Sequence, residues 1–231
     1  MIPIPLKPEP IINCDYKNVY SPSDDTYLLI DYFNRNIDEN NFDGINISEI
    51  ENMLDLGTGT GIIAILFQLI KVQYPNFNPK IYASDILKEA IKCAKINEEA
   101  NKINKAITFL HSDLFKSFPE SLKHSFNIIV FNPPYLPSSK LINKNYEKNI
   151  IDYSWDGGLK GYETLINFLK KAKLFLNLKK DHSIYCITSS RTDLLELNNK
   201  IKNLNYKNKI VEKRHIFFED IFLNKLQYKM H

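Results

Sequence analysis

Glycine is scarce in this chain of 231 residues, so the places where it occurs are informative. Only seven glycines are present; three lie within residues 54–61 (LDLGTGTG), and three more are Gly157, Gly158 and Gly161. Because glycine costs conformational entropy on folding, a chain this sparing of it should use it where a side chain cannot fit. Both clusters are therefore candidate functional sites.

Cysteine is also scarce, which argues against a metal centre and against a disulfide framework. Cys14, Cys93 and Cys186 lie far apart and form neither a CxxC pair nor a His/Cys cluster at zinc spacing. We therefore predict no bound metal, and three reduced, structural thiols in a reducing compartment.

A large charge excess and a long apolar run are absent as well. The 30 basic and 27 acidic side chains leave a net charge of +3, which alone does not argue for nucleic-acid binding. No apolar run reaches the roughly 18 residues that a membrane span needs. Prolines interrupt the N-terminal MIPIPLKPEP, where a signal peptide would be continuously apolar. These features predict a soluble, cytoplasmic protein.

Strand-like and helix-like segments alternate from residue 52 onwards and predict an α/β fold. The segments NMLDLG, KIYASD, AITFLHSD, FNIIVF and SIYCITSS are typical of buried strands, and amphipathic helical segments lie between most of them. This alternation predicts a mostly parallel sheet covered by helices on both faces. Residues 207–229 predict a final hairpin, and residues 21–231 should form a single domain.

An arm and one helix precede this alternation. Residues 1–20 carry four of the eleven prolines and predict an extended arm. Residues 21–33 (SPSDDTYLLIDYF) predict a helix capped by Ser23 or Asp24, with acidic residues in its first turn. The polar, Asn-rich residues 34–48 predict a loop or a frayed helix end.

The first glycine cluster lies between a predicted strand and a predicted helix, where a doubly wound sheet binds its ligand. A tight turn there brings backbone N–H groups and a helix N-terminus against the ligand. The GxGxG spacing of Gly57, Gly59 and Gly61 matches neither the dinucleotide GxGxxG nor the phosphate-binding P-loop. Asp55, two residues before Gly57, suits a ligand with an ammonium group better than one with a pyrophosphate. The alternative is a plain strand-to-helix turn.

Two further acids end predicted strands. Asp85 could accept both ribose hydroxyls of a nucleoside, as the acid about 20 residues beyond the glycines does in dinucleotide folds, or it could cap the following helix. Asp113 could accept a hydrogen bond from an adenine amino group while Leu114 packs on the ring, or it could cap its own turn. We predict that Asp85, Asp113 and Leu114 all bind a cofactor that contains a nucleoside.

Residues 131–135 (FNPPY) are the candidate catalytic loop, stiffened by two prolines that end the preceding strand. An amide or aromatic amino nitrogen is a poor nucleophile because its lone pair is delocalised. The side-chain oxygen of Asn132 and the carbonyl of Pro133 could bind its two hydrogens and stabilise the developing positive charge. Pro134 and Tyr135 would complete the substrate site, with Tyr135 stacking on the flat group. The pattern favours methyl transfer to a planar nitrogen; the alternative is a proline-rich turn.

The segments DLGTGTG, ASD, HSD and FNPPY resemble, in order and spacing, the motifs of class I methyltransferases with an NPPY loop. Residues 19–31 (VYSPSDDTYLLID) and 154–165 (SWDGGLKGYETL) are similar to segments of HemK-type glutamine methyltransferases of peptide-chain release factors. The resemblance extends from Val19 to about Ser189 and is weaker beyond. It implies a Rossmann-like fold whose seven strands are mostly parallel, with an antiparallel C-terminal strand.

The resemblance also implies a reaction and further site residues. The methyl donor would be S-adenosyl-L-methionine, the substrate would be the glutamine of a Gly-Gly-Gln motif in a class-1 translation termination factor, and the product would be N5-methylglutamine. Thr26 and Asn132 would lie near the donor, and Trp155 with the Gly157–Gly158 turn would shape the wall of the active site. From the residues alone, Thr26 could equally be a helix-cap residue and Trp155 a core residue.

The chain looks like the short eukaryotic and archaeal branch of this family, since only residues 1–20 precede SPSDDT. Members of that branch are typically completed by a small zinc-containing activator subunit that covers an exposed sheet edge, so the resemblance implies a heterodimer. The third predicted strand, around residues 106–115, is the candidate edge through Ile107, Phe109 and Phe115. Alternatively, these three side chains are ordinary core residues.

Three other functions fit parts of the pattern. The NPPY loop would also serve an amino methyltransferase acting on adenine or guanine in DNA or RNA, although a duplex substrate would require base flipping. Lysine methylation fits less well, because a protonated amine needs a base that NPPY does not offer. A donor-binding scaffold without catalysis is the third, and the intact Asn132 argues against it.

Overall fold

The computed structural model of the chain describes residues 8–14, 16–103, 105–138 and 154–230, so residues 1–7 and Asp15 of the predicted arm lie outside it. The strands within these ranges are β1 (Asn41–Phe42), β2 (Ile45–Asn46), β3 (Asn52–Leu56), β4 (Lys80–Asp85), β5 (Ile107–His111), β6 (Ile128–Phe131), β7 (Leu136–Pro137), β8 (Asp156–Gly158), β9 (Ser183–Ser189), β10 (Tyr206–Ile216) and β11 (Glu219–Tyr228). The α-helices there are α1 (Asp24–Arg35), α2 (Ile62–Gln73), α3 (Lys88–Ala100), α4 (Glu163–Ala172) and α5 (Leu194–Asn203).

The main sheet has seven strands in the order β10–β11–β9–β6–β3–β4–β5. β3, β4, β5, β6 and β9 are parallel, and β11 pairs antiparallel with both β9 and β10. The predicted α/β fold with a mostly parallel seven-stranded sheet is confirmed. From β3 the chain adds β4 and β5 on one side, and β6 lies on the other side. This reversal opens a crevice at the carboxyl ends of β3 and β6, where ligands bind in such sheets.

Apolar side chains cover both faces of the sheet, because neighbouring residues of a strand point to opposite faces. In β3, Met53 packs among residues of α1 and α2, whereas Leu54 packs among residues of α4 and α5. Both side chains are fully buried, as expected for a parallel strand covered on both faces. Within the described ranges, no helix is long and apolar enough to cross a membrane.

The N-terminal arm lies along α3. Asn97 of that helix accepts hydrogen bonds at 2.9 Å from the backbone N–H groups of Asn13 and Cys14. This contact brings Cys14 beside Cys93 of α3, and a disulfide joins the two. The prediction of three free thiols is therefore wrong for this pair, because a separation of 79 residues gives no sign that the arm meets the helix. Cys186 is the free, buried thiol.

Residues 34–48, predicted as a loop or a frayed helix end, contain the last two residues of α1 and a small hairpin. β1 and β2 pair antiparallel through Phe42 and Ile45, and both side chains are buried in the core beside α1. Strands of two residues are too short to show a periodic pattern, and polar residues surround them in the sequence. The other predicted helices and strands are all present.

β5 is an edge strand of the sheet, as predicted, but two of its three expected contact residues belong to the core. Ile107 and Phe115 are buried, and the ring of Phe115 stacks on Phe175 with centroids 4.3 Å apart. The chain turns inward after β5, where Leu114 adopts a φ of +50°. Of the three, only Phe109 is half-buried at the edge.

Candidate active site

A cavity of about 440 Å³ opens at the carboxyl ends of β3, β4 and β6. Its volume lies in the range typical of small-molecule sites. Most of the predicted site residues meet in its walls, namely Gly57, Gly59, Asp85, Asp113, Leu114, Asn132, Pro133, Pro134, Tyr135 and Trp155. Thr26, Asp55 and Gly61 lie behind these walls, where they support the residues that line the cavity.

The glycine loop after β3 has a backbone that suits glycine. Gly57, Gly59 and Gly61 have φ angles of 69°, 53° and 85°. Gly61 is also the N-cap of α2, and a Cβ atom there would lie 2.8 Å from the Cβ of Ala94 on α3. Gly61 thus allows α2 and α3 to pack closely, and the loop before it turns its backbone towards the cavity.

Asp55 lies behind the glycine loop. Its Oδ2 accepts a hydrogen bond of 2.6 Å from the Thr58 hydroxyl and one of 3.1 Å from the Ala64 backbone N–H. Burial raises the pKa of Asp55 to about 7, against the lowering effect of these hydrogen bonds. Asp55 therefore fixes the shape of the loop, and its direct contact with an ammonium group stays a prediction.

Asp85, the last residue of β4, lines the cavity and holds two turns in place. Its Oδ2 accepts from the Gly59 backbone N–H at 3.0 Å, and its Oδ1 accepts from the Leu87 backbone N–H at 2.9 Å. Burial raises the pKa of Asp85, and hydrogen bonds from Leu87 and Gly59 oppose this. Each oxygen keeps a second lone pair. Asp85 thus holds the turn before α3 and is not the cap of that helix, because the N-cap residue is Leu87 and no side chain caps it. The carboxylate also lies in the cavity wall, where ribose hydroxyls would meet it.

Asp113 and Leu114 follow β5 at the far end of the cavity. Asp113 forms an ion pair of 2.6 Å with Lys116 and is 43% exposed. Leu114 adopts the left-handed backbone conformation, which is costly for a bulky residue and typical of functional sites. Both side chains line the cavity, so an aromatic ring bound there would meet an apolar side chain and a carboxylate.

Asp25 is the site residue that the sequence analysis missed. Its buried carboxylate, in the first turn of α1, accepts hydrogen bonds from Asn132 Nδ2 at 3.1 Å and from Tyr135 Oη at 3.1 Å. Tyr20 Oη donates to it at 3.2 Å, and the backbone N–H of Thr26 donates at 2.6 Å. Two features of the sequence include Asp25, namely the acidic first turn of the predicted helix and the segment 19–31 of the family resemblance, but neither indicates its contact with residues 132 and 135.

The contact with Asp25 fixes the orientation of the Asn132 amide. A carboxylate only accepts hydrogen bonds, so the amide nitrogen must face Asp25 and the oxygen must face away. Asn132 Oδ1 is buried and has no hydrogen-bond partner in the described part of the chain. An unpaired buried acceptor costs about 1–3 kcal/mol, and such groups mark places where a ligand donor is expected.

Tyr135 is held as a protonated phenol. Burial, followed by the neighbouring charge of Asp25, raises the pKa of Tyr135 far above its usual value. The same two causes raise the pKa of Tyr20. Both hydroxyls therefore remain hydrogen-bond donors at any physiological pH, so the carboxylate of Asp25 keeps these two hydrogen bonds.

The second glycine cluster packs against the back of the catalytic loop. β7 and β8 pair so that the Leu136 backbone N–H donates to the Trp155 carbonyl at 3.0 Å. A Cβ atom on Gly157 would lie 2.4 Å from the Gly161 carbonyl oxygen and 2.6 Å from the Pro134 carbonyl oxygen. Gly157 is thus required by close backbone packing, and this explains why two glycine clusters occur in one site.

Known proteins share the sequence and the fold of this chain. The model of the family "Methyltransferase small domain" matches residues 28–156. The putative protein N5-glutamine methyltransferase of Methanocaldococcus jannaschii is 32% identical over 210 residues, which cover 90% of this chain and 91% of that protein. The release factor glutamine methyltransferase of Leptospira interrogans is 43% identical over 109 residues, covering 47% of this chain and 35% of that protein.

Among solved structures, the Mtq2–Trm112 complex of E. cuniculi contains a chain of the same fold. That complex is described as responsible for methylation of the eRF1 translation termination factor. The match has a TM-score of 0.60 at 23% identity and covers 92% of this chain and 99% of that chain. At this identity the likeness establishes the fold.

Proposed function

Since this chain belongs to the methyltransferase small-domain family and, within it, to the protein N5-glutamine methyltransferases, we propose that it methylates a termination factor. The methyl group would pass from S-adenosyl-L-methionine to the side-chain amide nitrogen of the glutamine in a Gly-Gly-Gln motif. We further propose that the termination factor is of class 1; the printed functions of two similar proteins, methylation of a release factor and of eRF1, support a termination factor as the substrate.

The chemistry of the cavity walls fits the methyl donor. Asp85 would accept the ribose hydroxyls, while Asp113 and Leu114 would hold the adenine ring. The glycine loop, supported from behind by Asp55, would meet the amino-acid part of the donor through its backbone. Thr26 donates to Asp25, which holds Asn132 of the catalytic loop, and would lie near the donor through this contact. When bound, the donor supplies a methyl group on a positively charged sulfur.

The catalytic loop would then prepare the amide nitrogen for attack. Asn132 Oδ1, turned into the site by Asp25, would accept one N–H of the substrate amide. The carbonyls of Pro134 and Tyr135 lie against the glycine turn, so we assign the second N–H to the Pro133 carbonyl. Two acceptors in fixed positions favour a pyramidal nitrogen and stabilise its positive charge as the nitrogen–carbon bond forms. The extra proton leaves to solvent, so no strong base is needed.

The aromatic side chains would hold the flat substrate group in place. The ring of Tyr135 lines the cavity while its hydroxyl is bound to Asp25, so the ring cannot rotate freely. Trp155 lines the same cavity, and its backbone carbonyl accepts from Leu136, the residue after Tyr135. Contact with these rings would orient the amide, and orientation of reactants is a large part of enzymatic rate enhancement.

The observation that carries the proposal is the buried, unpartnered Oδ1 of Asn132 in a cavity at the end of the parallel strands. The test is incubation with labelled donor and a termination factor carrying either Gly-Gly-Gln or Gly-Gly-Ala. We expect label only in the Gly-Gly-Gln protein. Equal labelling of both proteins would refute glutamine as the acceptor.

We also propose that the exposed edge of β5 binds a small zinc-containing activator subunit. Support comes from the position of β5 at the end of the sheet, from the half-buried Phe109, and from exposed Ile86 and Ile96 on neighbouring segments. The described residues of this chain contain no group of His, Cys, Asp or Glu that could hold a metal ion, so the partner would bind the zinc itself. Co-expression with a candidate activator, scored by solubility and activity, tests this.

A further inference from the structure

The hairpin of β10 and β11 ends in two exposed phenylalanines. Phe217 and Phe218 are 85% and 95% exposed, more than any other large apolar side chain in the described part of the chain. They form a two-residue turn, since Ile216 pairs with Glu219. Phe217 has a φ of +49°, in a turn position that normally takes glycine or asparagine. The tip therefore carries a backbone cost and an exposure cost, and both rings remain almost fully exposed next to the other described residues.

This tip lies at the active-site end of the sheet. β11 runs antiparallel to β9, and Ile221 pairs with Ser189, the last residue of β9. The Ser189 hydroxyl donates a hydrogen bond to the Glu219 carboxylate at the base of the turn. Burial is the main cause that raises the pKa of Tyr135, and the charge of Glu219 contributes to it. The tip thus projects beside the catalytic loop.

The base of the tip is held rigidly, while the two rings are not. Asp220 forms an ion pair of 2.8 Å with Lys213 and a hydrogen bond of 2.9 Å with Nδ1 of His215, which close the hairpin across its strands. The backbones of Asp220 and Ser190 also bond at 2.8 Å, which ties the hairpin to the segment after β9. Because the base of the hairpin is rigid, less conformational entropy is lost on binding, and the two rings are suited to act as anchors.

We propose that the Phe217–Phe218 tip inserts into an apolar cleft of the protein substrate and thereby holds that protein over the active site. The inference rests on the proposed function, because it names how the termination factor is held. We choose a protein partner because the proposed acceptor is a glutamine of a protein and the tip lies at the active-site end of the sheet; charge does not decide the point, since Asp220 next to the rings is paired with Lys213. Exposed aromatic side chains in a central position are typical binding hot spots. Binding energy obtained away from the reacting group also promotes catalysis.

The double variant Phe217→Asn/Phe218→Ser tests the tip without damaging the hairpin, because asparagine tolerates the positive φ of position 217. Two substrates are compared: the complete termination factor and a short peptide containing Gly-Gly-Gln. We expect kcat/KM for the factor to fall about 10- to 100-fold, mainly through KM. The kcat/KM for the peptide and the affinity for the donor should not change. Val72→Ser is the matched control, since Val72 is 82% exposed at the C-terminal end of α2, away from the site.

Direct binding of the factor, measured by calorimetry, separates this inference from the proposed function. Loss of factor binding in the double variant supports the proposed role of the tip, even if neither wild type nor variant methylates glutamine. Equal factor binding by wild type and variant overturns it, even if methylation proceeds. An equal loss of activity on factor and peptide also overturns it, because the tip would then support the site itself. The inference is also overturned if the variant still binds the factor but loses binding to an RNA oligonucleotide, or loses self-association in sedimentation.

Discussion

The side-chain amide nitrogen of Asn132 donates a hydrogen bond of 3.1 Å to Asp25, although the two residues are 107 positions apart in the chain. This one contact decides which way the amide faces, because a carboxylate cannot donate. It joins the first turn of α1 to the catalytic loop after β6. The acceptor needed for the proposed chemistry, Asn132 Oδ1, is thus positioned by a residue that does not itself belong to the loop.

Replacement of Asp25 by asparagine should release this orientation. An asparagine can donate as well as accept, so the Asn132 amide could turn over and point its nitrogen into the cavity. We expect Asp25→Asn to lower kcat about 10- to 100-fold while donor affinity changes by less than about threefold. Steady-state kinetics with calorimetry of donor binding checks this. The control is Asp24→Asn, which makes the same charge change on an exposed neighbour. An unchanged kcat for Asp25→Asn would refute the positioning role.

Addition of a single methyl group at Gly157 should disturb the catalytic loop from behind. The new Cβ would lie 2.6 Å from the Pro134 carbonyl oxygen, and backbone atoms on both sides cannot move aside cheaply. We expect Gly157→Ala to lower kcat at least about tenfold with the fold retained, as judged by circular dichroism. Gly44→Asn serves as the control, because nothing lies within 4 Å of a Cβ there and asparagine tolerates its positive φ. Full activity of Gly157→Ala would mean that the loop tolerates displacement.

Donor binding should depend on Asp85 more than on Asp113. Asp85 is buried and lines the cavity, whereas Asp113 is 43% exposed and paired with Lys116. Because hydrogen bonds to a buried charge are worth more, we expect Asp85→Asn to weaken donor binding about tenfold or more, and Asp113→Asn to weaken it less. Calorimetric titration with S-adenosyl-L-methionine measures both. The reverse ranking would contradict the assignment of ribose to Asp85.

Stability without donor should depend on pH through Asp55. Its folded pKa, about 7, lies above the value of 3.8 expected for the unfolded chain, so the folded state binds the extra proton between these values. The contribution of Asp55 to stability is full below pH 4 and is lost as pH rises to 7. In Asp55→Asn this loss is absent. The difference in free energy of unfolding, variant minus wild type, should therefore increase by roughly 1 kcal/mol per pH unit from pH 4 to 7. Urea unfolding at several pH values tests this, and a constant difference would contradict the shifted pKa.

The sequence was enough to predict the fold because the main strands and helices are long and clearly patterned. The segments of β3, β4 and β9, for example, are rich in apolar residues and bounded by turn residues. This local pattern is enough to predict a buried strand. The hairpin of β1 and β2 has no such signal, since each strand has only two residues. Phe115 was misplaced for a different reason: the direction of the chain after β5 depends on the backbone angle of Leu114, which a sequence pattern does not reveal.

The site was predictable where a local motif carries the chemistry and was missed where distant segments meet. The glycine loop, Asp85 and residues 131–135 are such motifs, and the structure brings them together in one cavity. The contact of Asp25 with the catalytic loop, and that of Cys14 with Cys93, arise only when α1 and the arm dock. No periodicity or spacing encodes these contacts, because tertiary packing creates them.

The most direct test of the account is tandem mass spectrometry of a termination factor after reaction with the methyl donor. The account predicts one added methyl group on the side-chain nitrogen of the glutamine in Gly-Gly-Gln, formed by wild type and slowed by about two orders of magnitude or more in Asn132→Ala. A methyl group found on a lysine, or an Asn132→Ala variant that methylates the glutamine at the wild-type rate, would contradict it.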